Sequence, residues 1–285
     1  MRTRPAAPAT HRGTASALLL SAHPLPSVAV TAFTTAASAA AGQSAGRCVL
    51  VAAAVATGQL SIGWSNDLLD RDRDALAART DKPVATGDVS PSLVTGACGI
   101  AVLSCVALSL AAGWRAGMAH LLAVAGGWAY NLGLKRTVVS VLPYATSFAL
   151  ITAFATLSLP GSPWPRPWAL AAGALLGAGA HFLNVVPDVE ADLAAGVRGL
   201  PQRLGARRSA VVGALLLWVA CVLVVLGPGA PVPLWAGAGL GVAAATAASA
   251  AGLGRRTSGR APFLLAVATA AVAVSLTVAR GSELT

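Results

Sequence analysis

Charge is what this sequence has least of. Asp, Glu, Lys and Arg together fill 11% of its 285 positions, less than half of the roughly 25% usual in soluble domains. With 56% apolar residues and a mean hydropathy of +0.71, a soluble globule is excluded, because no core of this size hides so much apolar surface. Only ten residues are acidic, against twenty Lys and Arg, for a net charge of +10. That excess does not point to nucleic acid. The basic residues punctuate apolar runs and form no stripe with interleaved aromatics. Cysteines are few and scattered: Cys48, Cys98, Cys105 and Cys221 stand singly in apolar segments. Their spacing excludes a disulfide framework or a thiolate metal site, so they read as small buried hydrophobes.

What remains is apolar sequence in lengths that suit a bilayer. Windows of about 20 residues mark nine predicted transmembrane helices at 22–42, 48–66, 92–112, 116–134, 138–159, 167–187, 209–227, 232–252 and 261–279. The expected class is therefore an all-α integral membrane protein. It divides into an N-terminal segment 1–21, a membrane domain 22–280 and a tail 281–285. Arg2, Arg4 and Arg12 before an apolar stretch ending in Ala37-Ser38-Ala39 also have the form of a secretory signal. His23-Pro24-Leu25-Pro26 interrupts that stretch, which favours a retained first helix. With the N-terminus inside, sixteen Lys and Arg fall on inner segments and only Arg47, Arg115, Arg166 and Arg280 on outer ones. The positive-inside rule then places the N-terminus in the cytoplasm.

The scarce acidic residues are not spread evenly. Nine of the ten lie in two stretches, each carrying Asn-x-x-x-Asp-x-x-x-Asp: Asn66, Asp70, Asp74 and Asn184, Asp188, Asp192. Asp67, Asp72, Asp81 and Asp88 crowd the first, Glu190 sits in the second, and Glu283 stands apart. Corresponding positions are 118 residues apart, so the motifs mark two pseudo-repeated halves, and the charge count puts both at the cytoplasmic edge. At i, i+4 and i+8 the side chains drift about 40° per step, so each triplet can share one helical face. Carboxylates beside a bilayer are costly unless paired or bound to metal. Two such clusters facing each other would repel unless cations lie between them.

The ligand type narrows the cation. All-oxygen sets without His or Cys suit Mg²⁺, which keeps waters and is completed by substrate phosphate oxygens. The implied substrate is thus an anionic phosphate. Basic residues follow each cluster: Arg71, Arg73, Arg79 and Lys82 after the first, Lys135 and Arg136 between the fourth and fifth helices, Arg198 and Arg203 after the second. Lys82 and Lys135 are the only lysines in the chain. Carboxylate, metal and basic clamp form a set suited to stabilising charge on a leaving diphosphate.

The stretch Asn66-Asp67-Leu68-Leu69-Asp70-Arg71-Asp72-Arg73-Asp74, with Arg79-Thr80, Lys82-Pro83 and Gly87 beyond, resembles the first signature of the UbiA superfamily of intramembrane prenyltransferases. Tyr130 to Lys135-Arg136 is similar to its Tyr-x-x-x-x-Lys-Arg segment. Asp188-x-x-x-Asp192-x-x-x-Gly196-Val197-Arg198-Gly199-Leu200-Pro201 is similar to its second signature. The resemblance implies nine transmembrane helices in a bundle around a central cavity, two Mg²⁺ ions, and an isoprenyl diphosphate donor with its tail in a lipid-accessible groove. Asn66, Asp70, Asp74, Asp188 and Asp192 would hold the metals, Asn184 completing the second motif. Asp67 would take metal or a basic partner. Arg79, Lys82, Tyr130, Lys135, Arg136 and Arg198 would contact diphosphate. Two departures stand out: Gly199 occupies a position where many members have Thr, and Lys82 replaces an Arg, keeping charge but losing bidentate geometry.

The expected enzyme ionises a prenyl diphosphate with Asp70, Asp74, Asp188, Asp192 and Lys135 as the catalytic set and passes the prenyl group to a lipophilic acceptor. Water must be kept out of the cation's surroundings. An aromatic quinone precursor is the leading acceptor by resemblance. A glycerol phosphate ether lipid, a porphyrin-type ring or intramolecular cyclisation in a related terpene cyclase remain open, and a carboxylate-lined transporter is the alternative outside enzymes. His181 would either position the acceptor or pack as a bundle histidine. Gly173-x-x-x-Gly177 would make room for a tail or pack helices closely. The expected setting is the bacterial cell membrane, with no nucleic-acid partner and site loops facing the cytoplasm. A carboxylate at that edge is expected to add little to bundle packing.

Overall fold

In the computed structural model the described residues are 13–229, 231–256 and 260–285. Among them the chain is all helical, with no strand. The helices are α1 (Thr14–Ser21), α2 (Pro24–Ala40), α3 (Ala45–Leu76), α4 (Pro83–Thr86), α5 (Pro91–Ala111), α6 (Trp114–Leu132), α7 (Val141–Leu157), α8 (Pro167–Val185), α9 (Val189–Ala194), α10 (Leu200–Leu204), α11 (Ala206–Leu226), α12 (Leu234–Arg256) and α13 (Arg260–Ala279). Nine of the described helices have 17 residues or more, one for each apolar stretch of the sequence. Five of these are long and apolar enough to cross a membrane by length and composition, and α1 with α2, bent by 60°, would make a sixth. Arg2, Arg4 and Arg12, and the side chains of Arg255, Arg256 and Arg260, lie outside the described residues.

The long helices run alternately up and down, so loops gather at two ends. Neighbours in sequence pack against each other: α2 on α3, α3 on α5 and α6, α6 on α7, α7 on α8, α8 on α11, and α11 on α12 and α13. Contacts of α13 with α2 close the ring. One apolar cluster joins α8, α11, α12 and α13 around Leu217, Val224 and Leu276. A second joins α3, α6 and α7 around Val55, Ala116 and Phe154. The four cysteines are unpaired, three of them buried.

Small residues set the spacing of α7 and α8. A side chain at Gly173 would meet Thr152 Oγ1 at 2.6 Å, and one at Gly177 would collide with the Tyr144 carbonyl oxygen. The glycine pair therefore packs helices, and the space it frees is taken by α7, not by a tail. Gly177→Leu is expected to force α7 off α8 and lower the melting temperature in detergent, since overpacking a tight contact costs about 1–3 kcal/mol.

The described residues flanking the long helices also pack on the bundle. Helix α1 folds back on α3 and α4, with Trp64 Nε1 donating to the Leu18 carbonyl at 2.9 Å. At the far end a short turn, Gly281–Glu283, places Leu284 in the core. The Arg166 backbone N–H donates to the Leu284 carbonyl at 2.7 Å. Arg280, counted in sequence as an outer-loop charge, is buried and paired with Glu283 at 2.9 Å.

Candidate active site

Helix α3 has 32 residues, about 48 Å at 1.5 Å per residue, which exceeds the roughly 30 Å hydrocarbon core of a bilayer. The surplus projects at one end and carries the first acidic motif. Hydropathy stops at residue 66 because charges begin there; the backbone ladder continues to Leu76. Asn66, Asp70 and Asp74 thus sit on one unbroken helix, as their spacing predicts. Beyond it Ala78 takes a left-handed φ of 50°, and Arg79 N–H returns to the Asp74 carbonyl at 3.0 Å. That reversal turns Arg79 back over the helix end.

The second motif is built differently. Asn184 lies in the last turn of α8, Val186–Asp188 form a 3₁₀ turn, and Asp192 lies on α9. Pro187 is the cause: it has no N–H to donate and its ring excludes a continuous α-helix. The expected single face is therefore absent in this half. The sequence repeat survives as a repeat of residue types, not of local geometry.

Asp70 is the centre of the first cluster, 2% exposed. Lys135 Nζ lies 2.5 Å from its Oδ2, Arg73 Nη2 at 2.9 Å, and Asn66 Nδ2 donates to the same oxygen at 3.2 Å. Arg73 also reaches Asp74 at 3.3 Å. Lys135 comes from a 3₁₀ turn after α6 and is buried. Burial pushes its ammonium pKa down, and Asp70 pulls it back up.

Arg79 joins the motifs. It makes two 2.8 Å hydrogen bonds to Asp81 and lies 3.5 Å from Asp188. The Asp81 hydrogen bonds raise its pKa, with burial opposing and Asp81, Asp188 and Asp74 adding charge attraction. The same hydrogen bonds hold the Asp81 carboxyl down at about 2. Asp192, half-buried, accepts a 2.8 Å hydrogen bond from Gln202 Nε2, and exposed Asn184 donates to Tyr144 Oη at 3.4 Å. Tyr130 packs edge-on against Tyr144 and His181, at ring separations of 5.2 and 5.5 Å. His181 is enclosed, with Nε2 3.1 Å from Ser140 Oγ and Nδ1 buried without a partner.

Two expected ligands are drawn elsewhere. Asp67 Oδ1 is held by Lys82 Nζ at 2.8 Å and His23 Nε2 at 2.9 Å, and Asp67 Oδ2 is buried without a partner. Asp67 thus has the basic partner that was one of its two expected roles, and its contacts with Lys82 and His23 form a latch fastening the α1–α2 elbow to α3. Its His23, at φ 53°, is 44 residues from Asp67 and has no local signal in the sequence. Arg136 and Arg198 are exposed at the rim.

Asn131, also unmarked in sequence, ties α6 to α3. It donates to Ser65 Oγ at 2.8 Å and the Ile62 carbonyl at 2.9 Å, and accepts from Asn66 at 3.2 Å. Its one signal was an amide beside Tyr130 near the end of a helix that is apolar from Leu121 to Ala129. Among the described residues no three His, Cys, Asp or Glu side chains are already gathered around one point. Asp70, Asp74 and Asp188 are instead paired with Lys135, Arg73 and Arg79.

An all-helical ring with membrane-length apolar helices, carrying acidic and basic side chains together at one end, defines an integral membrane protein with a polar site at the bilayer edge. The chain belongs to the UbiA prenyltransferase family, whose model matches residues 27–279. It is 31% identical over 170 residues to the digeranylgeranylglyceryl phosphate synthase of Methanothrix thermoacetophila, a match covering 57% of this chain and 61% of that relative. Its fold is similar to that of a UbiA homologue from Archaeoglobus fulgidus bound to GPP and Mg²⁺, with a TM-score of 0.69 and 20% identity over 93% of this chain and 99% of that one. A digeranylgeranylglyceryl phosphate synthase structure matches with a TM-score of 0.68 and 14% identity, over 95% and 99% of the two chains.

Proposed function

We propose that this protein is a Mg²⁺-dependent intramembrane prenyltransferase, moving a prenyl group from an isoprenyl diphosphate to a lipophilic acceptor with release of diphosphate. The observation that carries the reading is Arg79 spanning from the end of the first motif to Asp188 of the second, while Lys135 reaches Asp70. Two acidic motifs 118 residues apart thereby serve one site. The reading includes nine membrane crossings, a central cavity and a cytoplasmic site, supported by the nine long helices and the basic bias of the loops.

The donor set fits Mg²⁺. Every candidate ligand is a carboxylate or amide oxygen, and Mg²⁺ uses one or two carboxylates plus water and phosphate oxygens, so no closed protein cage is needed. Asn66, Asp70 and Asp74 would hold it on one side and Asn184, Asp188 and Asp192 on the other. When bound, the metal draws charge from the leaving diphosphate. Lys135, Arg73 and Arg79 meet the same developing charge, and each already rests on a carboxylate, so their orientation is set before substrate arrives. Tyr130, Tyr144 and the apolar helix walls exclude water from C1 of the prenyl chain.

For the acceptor, the digeranylgeranylglyceryl phosphate synthases among the relatives favour a glycerol phosphate-type alcohol over the aromatic quinone precursor. Purified protein in nanodiscs, given Mg²⁺, labelled prenyl diphosphates of several lengths and a panel of alcohol and aromatic acceptors, tests the reading. Prenylated acceptor, lost on adding EDTA, is the expected result. Unchanged donor at every length overturns it, and a cyclised hydrocarbon formed without acceptor makes the chain a cyclase.

A further inference from the structure

Gly199 does not need to be glycine for its backbone, whose φ of −65° suits any residue. The reason is space. A Cβ there would lie 2.5 Å from the Lys135 carbonyl oxygen, 2.6 Å from Gln202 Oε1 and 2.9 Å from Ser140 Oγ. The loop after the second motif is pressed onto the Lys135 turn, and the place a side chain at 199 would fill is taken by Gln202 and Ser140. Ser140 Oγ also accepts the Leu200 N–H at 3.0 Å.

Gln202 is 3% exposed. Its Nε2 donates to Asp192 Oδ2 at 2.8 Å, while its Oε1 is buried without a partner. Leaving a buried carbonyl oxygen unsatisfied is unfavourable, and native structures rarely keep such a group without a role. The amide can point only one way, because turning it over would set its oxygen against the carboxylate. The buried oxygen is thus the consequence of aiming the N–H at Asp192.

We propose that Gln202 is a positioning residue of the second motif, holding the Asp192 carboxylate in the direction from which it ligates metal and supplying from α10 the polar contact that Gly199 cannot make. The inference rests on the reading above that Asp192 belongs to the metal and diphosphate site. Partners of metal ligands of this kind are worth about 10–100-fold in metal affinity.

The test uses Mg²⁺ alone as probe, read as the Mg²⁺ concentration giving half of the metal-induced rise in melting temperature of the full chain in nanodiscs. Gln202→Met, of similar length but without a donor, is expected to raise that midpoint about tenfold or more. Gln202→Asn keeps the amide but falls one methylene short, so it is expected to do the same in a fold that still has a polar group at 202. In an Asp192→Asn background neither change should shift the midpoint further, because the two residues act as one unit. An unchanged midpoint in both variants, or shifts that add to that of Asp192→Asn, overturns the proposal. Absence of any Mg²⁺ effect on the unmodified chain overturns it together with the metal reading. Normal metal shifts without prenyl transfer would sink the proposed activity and leave Gln202 in place.

Discussion

Asp188→Ala is expected to cut prenyl transfer by at least about a hundredfold, the upper effect of losing even an indirect partner of a metal, while the melting temperature hardly moves. Its side chain is 47% exposed and touches Arg79 at a loose 3.5 Å, so little packing depends on it. Asp70→Ala is expected to differ in kind. Asp70 is buried and carries Lys135, Arg73 and Asn66, and removing it strands a buried ammonium, a loss of up to about 3–5 kcal/mol. Deprotonation of Lys135, whose pKa burial already lowers, would soften that loss. The sequence treats both as edge carboxylates that add little to the bundle, whereas their burial sets different expectations for Asp188 and Asp70. Thermal melts beside turnover assays separate the two; an Asp188→Ala protein with full activity would remove the second motif from the mechanism.

Lys135→Met is expected to lower kcat by about 10²–10³-fold, the range seen when one preorganised group facing developing charge is removed, with little change in donor KM. Asp70 keeps Arg73 and Asn66 in the variant, so ground-state binding of metal and diphosphate should persist. Lys135→Arg is not expected to restore the rate. The side chain is 5% exposed, and a planar guanidinium does not fit where a compact ammonium was enclosed. Single-turnover kinetics across donor concentrations read this directly. A large rise in KM with unchanged kcat would show that Lys135 only binds substrate.

Much of this was legible in the chain itself, for identifiable reasons. Apolar runs marked the long helices to within a few residues except at α3, where the ladder outlasts the hydropathy by ten positions, from 66 to 76. The acidic register, Lys135 and Arg79 stood out because charge is so rare here. What stayed hidden depended on contacts between residues far apart. Lys82 and Asp67 stood out as charged residues near the motif, but nothing local signalled that His23, 59 positions before Lys82, completes a latch with them. Gln202 and Asn131 were hidden for the opposite reason, being uncharged and outside any counted pattern. Pro187 was in plain view, and its breaking of the second motif was overlooked because the ligand spacing alone suggested a helix.

An unbroken α3 and a jointed second motif respond differently to a change in chain length. One residue inserted between Asn66 and Asp74 would rotate everything after it by about 100° and scatter the triplet. An insertion between α9 and α10 would draw Gln202 off Asp192 but leave Asn184 and Asp188 in place. One side of the site is thus a single rigid gauge, and the other is set joint by joint.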